Sequence, residues 1–214
     1  MENSKLIVNK IVVGEIQTNC YLVSLGSDIF VVDPGDEAAK IIAEIEKIKE
    51  PNVKYIFLTH GHYDHVLAVD DLAIKYPKAS VVIHQEDKYL YQNLTKQGSF
   101  LNKNLHPLKA ETTPISEGSI LNFAEKKIEV IHLPGHTKGS VGYLFDNLFF
   151  SGDTIFYHNY GRIDLPWSDP GSMKDSIEKA LSLPDKTKIL PGHGPETTVF
   201  EEKKFKGFGG GGYL

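Results

Sequence analysis

One cysteine, Cys20, is all the chain has in 214 residues, so no disulfide can form within it. Stability cannot come from a stapled scaffold of the secreted kind. Cys20 opens the apolar run Cys20-Tyr21-Leu22-Val23. A buried, reduced thiol is the expectation there, with a catalytic thiol as the alternative. An excess of positive charge is also missing: 23 Lys and Arg stand against 28 Asp and Glu, a net charge of −5. That argues against a nucleic-acid surface as the main partner, while leaving room for a local basic pocket. No apolar run approaches the roughly 20 residues of a membrane span. The opening Met1-Glu2-Asn3-Ser4-Lys5 lacks the apolar stretch of a signal peptide. The expectation is a cytoplasmic protein with neither nucleic-acid nor membrane partners.

What is present suits one globular α/β domain. The residues are 41% hydrophobic and 24% charged, an ordinary soluble balance at a length that affords a sizeable core. Leu6 to Val13, Asn19 to Leu25 and Ile29 to Val32 read as strands. A helix is expected from about Asp36, its N-cap, with Ile41, Ile42, Ile45 and Ile48 on one stripe. Tyr55 to Leu58 reads as a strand, Val66 to Tyr76 as a helix, Ser80 to Ile83 as a strand and Asp87 to Thr95 as a helix. Gln97 to Pro114 reads as an irregular segment long enough for a lid. Strand character returns from Ile120, through Ile128–Leu133, Val141–Phe145 and Leu148–Phe150. The helix Met173–Leu183 and the strand Lys188–Leu190 follow. Strands, helices, strands and a helix fit a four-layer αβ/βα sandwich better than an alternating parallel sheet. Residues 1–205 are taken as one domain and 206–214, with Gly209 to Gly212, as a flexible tail.

The chemistry begins at Thr59-His60-Gly61-His62-Tyr63-Asp64-His65, directly after a strand. His60 and His62 can point to one side of an extended turn and share a metal. Asp64 and His65, at the start of the next helix, can serve a second ion. Imidazole and carboxylate suit zinc or iron(II). Further candidates follow predicted strands: His136 in Pro-Gly-His-Thr, Asp153 in Ser-Gly-Asp-Thr, and His193 in Pro-Gly-His-Gly. Singly each could be an ordinary loop residue; together they converge on one sheet edge.

With these residues the chain resembles the metallo-β-lactamase superfamily, most closely its glyoxalase II-like branch. The resemblance runs from about Ile11 to Thr198 and includes Asp33, His60-x-His62-x-Asp64-His65, His136, Asp153 and His193. It implies one metal on His60, His62 and His136, a second on Asp64, His65 and His193, and Asp153 as the bridge. Asp33 would orient the ligand loop. Two divalent ions are implied, zinc first, with iron(II) or manganese(II) as alternatives. Thr18-Asn19-Cys20-Tyr21-Leu22-Val23 resembles the second strand of that branch. Gly161-Arg162-Ile163-Asp164-Leu165-Pro166 resembles a stretch of its compact single-domain subgroup. In glyoxalase II a Lys stands where Arg162 stands and reaches the substrate carboxylate. Three departures leave the substrate open. No counterpart is expected of the C-terminal helical domain that supplies much of the glutathione site in glyoxalase II. Val66-Leu67-Ala68 replaces a small, Gly-containing stretch, and Lys206-Gly207-Phe208 an Asn-Pro-Phe-like ending.

The activity implied is thioester hydrolysis by a hydroxide shared between two ions, with Asp64 or Asp153 handling the proton. A thiolate leaves without a strong acid, which favours a thioester among acyl substrates. Arg162, Tyr63 and His158 are the candidate substrate contacts; Tyr63 is equally able simply to pack. His84 reads as a brace of the fold or of the ligands' surroundings, His132 as packed, His106 as solvated and Lys138 as a surface residue. The rival is a persulfide dioxygenase with one iron on His60, His136 and Asp153. The complete second set, with His193, favours the hydrolase. A flavodiiron-type protein would have Glu at His62, and a secreted β-lactamase Cys at Asp153.

Overall fold

The computed structural model describes residues 5–205 and 207. Alternating β-branched and aromatic residues build its first sheet. β1 (Leu6–Val13), β2 (Thr18–Leu25) and β3 (Asp28–Val32) pair antiparallel, with Ile11 opposite Cys20 and Tyr21 opposite Val32. β4 (Asn52–Phe57), β5 (Ser80–His84) and β6 (Thr112–Ile115) add in parallel. The second sheet contains β7 (Ile120–Phe123), β8 (Lys126–His132), β9 (Val141–Phe145), β10 (Leu148–Gly152), β11 (Lys188–Pro191) and β12 (Thr197–Thr198). Both sheets run in sequence order, and in the second β10 and β11 pair in parallel.

The period of two sorts side chains between layers. Along β2 and β3, Tyr21, Val23, Phe30 and Val32 enter the core between the sheets. Cys20, Leu22, Ile29 and Val31 point the other way, into a second core against the helices. Phe30 meets Phe57, Phe123, Phe145 and Phe150 edge-on, with ring centroids 4.8–5.8 Å apart. On the outer face of the first sheet, α1 (Ala38–Ile45) and α3 (Val69–Lys75) bury Ile41, Ile45, Val69 and Leu72. On the outer face of the second, α6 (Met173–Leu181) buries Met173, Ile177 and Ala180. The layers are the αβ/βα sandwich expected. Cys20 is a fully buried free thiol, its pKa pushed up by burial. No described helix is long and apolar enough to cross a membrane.

Several boundaries differ from the sequence reading. α1 starts at Ala38, after Glu37 in a left-handed conformation; Asp36 instead accepts the Glu37 N–H, and Ile48 packs beyond the helix end. The helix expected over 66–76 begins earlier, as α2 (Tyr63–Val66), and breaks before α3. At the break the Ala68 N–H donates to Pro34 O and the Leu67 N–H to Gly35 O, so the backbone is drawn to the loop after β3. The helix expected over 87–95 is a 3-10 turn at Gln85–Asp87 followed by α4 (Lys88–Gln92) and α5 (Leu94–Leu101). The irregular span expected over 97–114 therefore contains most of α5 and most of β6. Gly98 hid the helix, yet its lack of a side chain is required: a Cβ there would lie 2.5 Å from Lys103 O. Pro114 hid β6, but that strand lies at the sheet edge, where a missing N–H is tolerated. Residues 102–111 are tied down rather than free as a lid: Asp70 accepts the Lys109 and Ala110 N–H groups, and Tyr91 Oη donates to Ala110 O. β12 and α7 (Val199–Lys204) had not been expected. The tail assigned to 206–214 lies outside the described residues except for Gly207.

Candidate dimetal active site

Three strand ends and one loop deliver the His and Asp side chains to one edge of the sandwich. After β4, Leu58 and Thr59 are clamped between the sheets. The Leu58 N–H donates to Val82 O, Tyr143 Oη donates to Leu58 O, and the Val141 N–H donates to Thr59 O. His60 and His62 follow at once, and His65 lies in α2. His136 follows β8, Asp153 follows β10 and His193 follows β11. β2 carries the His193 loop: Asn19 Nδ2 donates to Pro191 O and Gly194 O, both at 2.9 Å, and Tyr21 Oη donates to Pro191 O. Gly192 is sterically required, since a Cβ there would stand 2.2 Å from Asp153 Oδ1 and 2.8 Å from His65 Cε1.

The first cluster is His60, His62 and His136. His136 Nδ1 lies 2.7 Å from Arg162 O and must donate to that carbonyl, which leaves Nε2 as a lone-pair donor. Nε2 faces His62 Nδ1 at 2.8 Å. His60 Nδ1 lies 3.1 Å from Thr59 Oγ1, whose own proton goes to Asp33, so His60 Nδ1 carries the hydrogen. His60 Nε2 is buried with no hydrogen-bond partner. Burial, then the neighbouring histidines, hold His60 and His62 well below the usual histidine pKa, the neutral form that ligates metals. Convergent neutral nitrogen lone pairs, one of them orphaned, fit a cation between them.

The second cluster is Asp64, His65 and His193. His193 Nδ1 donates to Ile16 O at 3.1 Å, which turns Nε2 toward Asp64 Oδ2 at 3.4 Å. His65 Nε2 lies 3.1 Å from Asp64 Oδ2. Burial opposes charge on His65, but Asp64, Asp153 and Asp33 outweigh it and raise its pKa well above the ordinary value. Burial likewise opposes the Asp64 anion, and His65 and His193 prevail, holding its pKa low. Asp153 lies between the clusters: Oδ2 is 3.4 Å from His136 Nε2 and 3.6 Å from His193 Nε2, and Oδ1 is 3.5 Å from His65 Nε2. Oδ1 has no hydrogen-bond partner. All seven sequence-derived ligand candidates thus meet at one centre, with Asp153 in the place of a bridge. Asp33 serves both halves, accepting the Thr59 N–H at 2.8 Å and the Thr59 hydroxyl at 2.7 Å while lying 3.0 Å from His65 Nδ1.

Two supporting residues were not recognised in the sequence. Asp87, fully buried, accepts the Gly61 N–H, the Thr137 hydroxyl and the Gly139 N–H at 2.7–2.8 Å. It fastens the His60–His62 loop to the His136 loop. Gln97, also buried, donates to Gly61 O and Leu90 O and accepts the Tyr63 N–H. Neither has a sequence signal, because each acts mainly on backbone atoms of other segments.

Of the three substrate candidates, Tyr63 lines a cavity of about 260 Å³ that reaches Asp64. Arg162 is exposed and its guanidinium grips Asp164 with two 2.8 Å hydrogen bonds. His158 is half-buried, stacked on Tyr157 and Phe205, with its N–H on Glu202. Phe100 of α5 meets Trp167 with ring centroids 6.1 Å apart, joining α5 to the segment whose Ser168 hydroxyl donates to His136 O. His84 and His132 stack on each other away from the clusters, His106 is exposed and Lys138 is exposed.

The metallo-β-lactamase superfamily model matches residues 13–193. The hydroxyacylglutathione hydrolase GloC of Haemophilus influenzae is 34% identical over 201 residues, covering 92% of this chain and 94% of its own. The probable metallo-hydrolase YqgX of Bacillus subtilis is 35% identical over 195 residues, 89% of this chain and 92% of its own. Among solved structures, TTHA1623 in a di-iron-bound form matches with a TM-score of 0.82 at 35% identity, over 94% of this chain and 99% of its own. The B3 metallo-β-lactamase BLEG-1 matches with a TM-score of 0.88 at 29% identity, over 96% and 100%. Agreement in sequence along nearly the whole length, on the same two-sheet frame, makes this chain a member of the metallo-β-lactamase superfamily, a family of proteins that bind divalent metals.

Proposed function

We propose that this metallo-hydrolase cleaves a small thioester of the hydroxyacyl-glutathione kind. The observation that carries the reading is the complete second cluster, Asp64, His65 and His193, joined to the first through Asp153. The 34% identity to a hydroxyacylglutathione hydrolase supports the substrate class. A pair of divalent ions held there, zinc first and iron(II) or manganese(II) as alternatives, would supply a water ionised near neutral pH and a Lewis acid for the carbonyl oxygen. His60, His62 and His136 would hold one ion, Asp64, His65 and His193 the other, and Asp153 both. Asp64 or Asp153 would also take the proton. A thiolate leaving group needs no further acid from the chain. Arg162 would hold a substrate carboxylate by exchanging Asp164 for it, since a guanidinium grips a carboxylate through two parallel hydrogen bonds. Tyr63 and His158 would flank the substrate.

The test is cleavage of S-lactoylglutathione in oxygen-free buffer by protein loaded with zinc, manganese or iron(II). Turnover with each metal is expected, because Lewis acidity needs no redox change. Arg162→Ala should raise KM for that substrate and leave a neutral thioester of similar size nearly unaffected. Oxygen uptake with glutathione persulfide under iron alone, with no thioester cleavage under any metal, would replace this reading by the mononuclear dioxygenase.

A further inference from the structure

The cavity beside Asp64 is walled by Gly14, Glu15 and Ile16 ahead of β2, by Gly35 and Asp36 after β3, by Tyr63 and Leu67, and by 103–105 after α5. Asp64, a candidate ligand of the second cluster, is part of its wall. Its charge pattern is specific. Lys103 brings a cation to it, with Nζ 5.5 Å from the centroid of the Tyr63 ring. The Lys103 backbone is fixed, its N–H donating to Gly98 O at the end of α5. Nζ is paired at 2.6 Å with Glu15, whose side chain is 80% exposed. Asp36 adds a carboxylate to the wall. A bare carboxylate entering this space would meet Lys103 but also the anions Glu15 and Asp36. A group carrying both an ammonium and a carboxylate meets no such conflict. Its carboxylate replaces Glu15 on Lys103, its ammonium takes Glu15 and Asp36, and the net charge of the cavity is unchanged. Opening the ion pair costs little because an exposed pair contributes little.

We propose that this cavity is a subsite for the α-amino-acid end of the substrate, with Lys103 and Glu15 as an ion pair that opens to receive a zwitterion. The inference rests on the thioesterase reading for the placement of the acyl group at the metals, and it adds the chemistry at the far end of the thiol. It also separates two cations that sequence alone does not rank: Arg162 and Lys103 would hold opposite ends of one substrate.

The test uses metal-loaded protein, S-lactoylglutathione, the des-amino analogue in which a glutaryl group replaces the γ-glutamyl group, and the neutral S-acetyl-N-acetylcysteamine. Lys103→Met should raise KM for S-lactoylglutathione about tenfold and leave the neutral thioester within twofold. Glu15→Gln should also raise KM for S-lactoylglutathione while improving or sparing the des-amino analogue. Calorimetric binding of S-methylglutathione, which cannot be hydrolysed, should weaken in both variants. Cleavage by the wild type with equal changes on all three substrates would overturn the subsite and leave the thioesterase standing. A lower KM for S-lactoylglutathione in Glu15→Gln would also overturn it, because it would mean Glu15 only competes for Lys103. If the wild type cleaves no thioester, the thioesterase fails, and S-methylglutathione binding still decides the subsite: weakening in both variants supports it, and no binding or unchanged binding overturns it.

Discussion

At Asp87 one buried carboxylate accepts three donors from two loops that each carry candidate metal-ligand histidines. Burial raises its pKa, and the Thr137, Gly61 and Gly139 donors oppose that rise. Hydrogen bonds to a charged acceptor contribute about 1.5–3 kcal/mol each, and orphaned buried donors cost about as much. Asp87→Ala is expected to lower stability by about 3 kcal/mol or more in urea unfolding, and to reduce metal content at His60, His62 and His136. Unchanged metal content in a folded variant would remove Asp87 from the site. His84 makes a pH prediction. Burial, then His132, lowers its pKa from 6.5 to about 4. The unfolded chain therefore takes up a proton near pH 6.5 that the folded protein refuses until about pH 4, and stability falls as pH drops through that window. His84→Phe, which keeps a ring against His132, should lose less stability than wild type between pH 7 and 4.5. Parallel losses in urea midpoints would contradict this. These two residues also mark what the sequence conceals: Asp87 looked like a helix start and His84 like a strand end. Their partners are 26–52 positions away, at Gly61, Thr137, Gly139 and His132, and no local spacing encodes such contacts.

At the scale of elements, β2 does more than fill the core. Its Asn19 holds the Pro191 and Gly194 carbonyls, and its backbone N–H donates to Gly192 O at 2.7 Å, so the first sheet grips the loop of the second. Asn19→Ala should cost about 1–3 kcal/mol from two lost hydrogen bonds, one buried and one partly buried. It should also loosen His193 and lower occupancy of the second cluster before the first. Metal titration with two resolved steps would show it, and equal weakening of both steps would contradict it. Continuous apolar strands such as β2, β3 and β9 were legible because both faces bury apolar side chains and Gly or Asp turns bound them. α2, α5 and β6 were not. α2 is one turn whose register is set by Pro34 and Gly35, α5 contains Gly98, and β6 contains Pro114. At α2 and β6 a contact made far along the chain overrode the local preference, and at α5 the close approach of Lys103 O requires the glycine.

For the whole molecule, two sequentially ordered sheets bring the ends of β4, β10 and β11 and the loop after β8 to one edge, and that convergence makes seven scattered residues one centre. The candidate ligands were legible because they gather in the segments that follow strands, five of the seven beside a glycine. The braces and the cavity charges were not, because they depend on how the layers pack. The dinuclear assignment is tested most directly by counting metal in purified, metal-saturated protein, wild type beside His193→Ala and Asp153→Ala. Two ions per wild-type chain are expected, near one in His193→Ala with thioester cleavage strongly reduced, and losses at both positions in Asp153→Ala. One ion in saturated wild type, or His193→Ala that retains two ions and full cleavage, would contradict it.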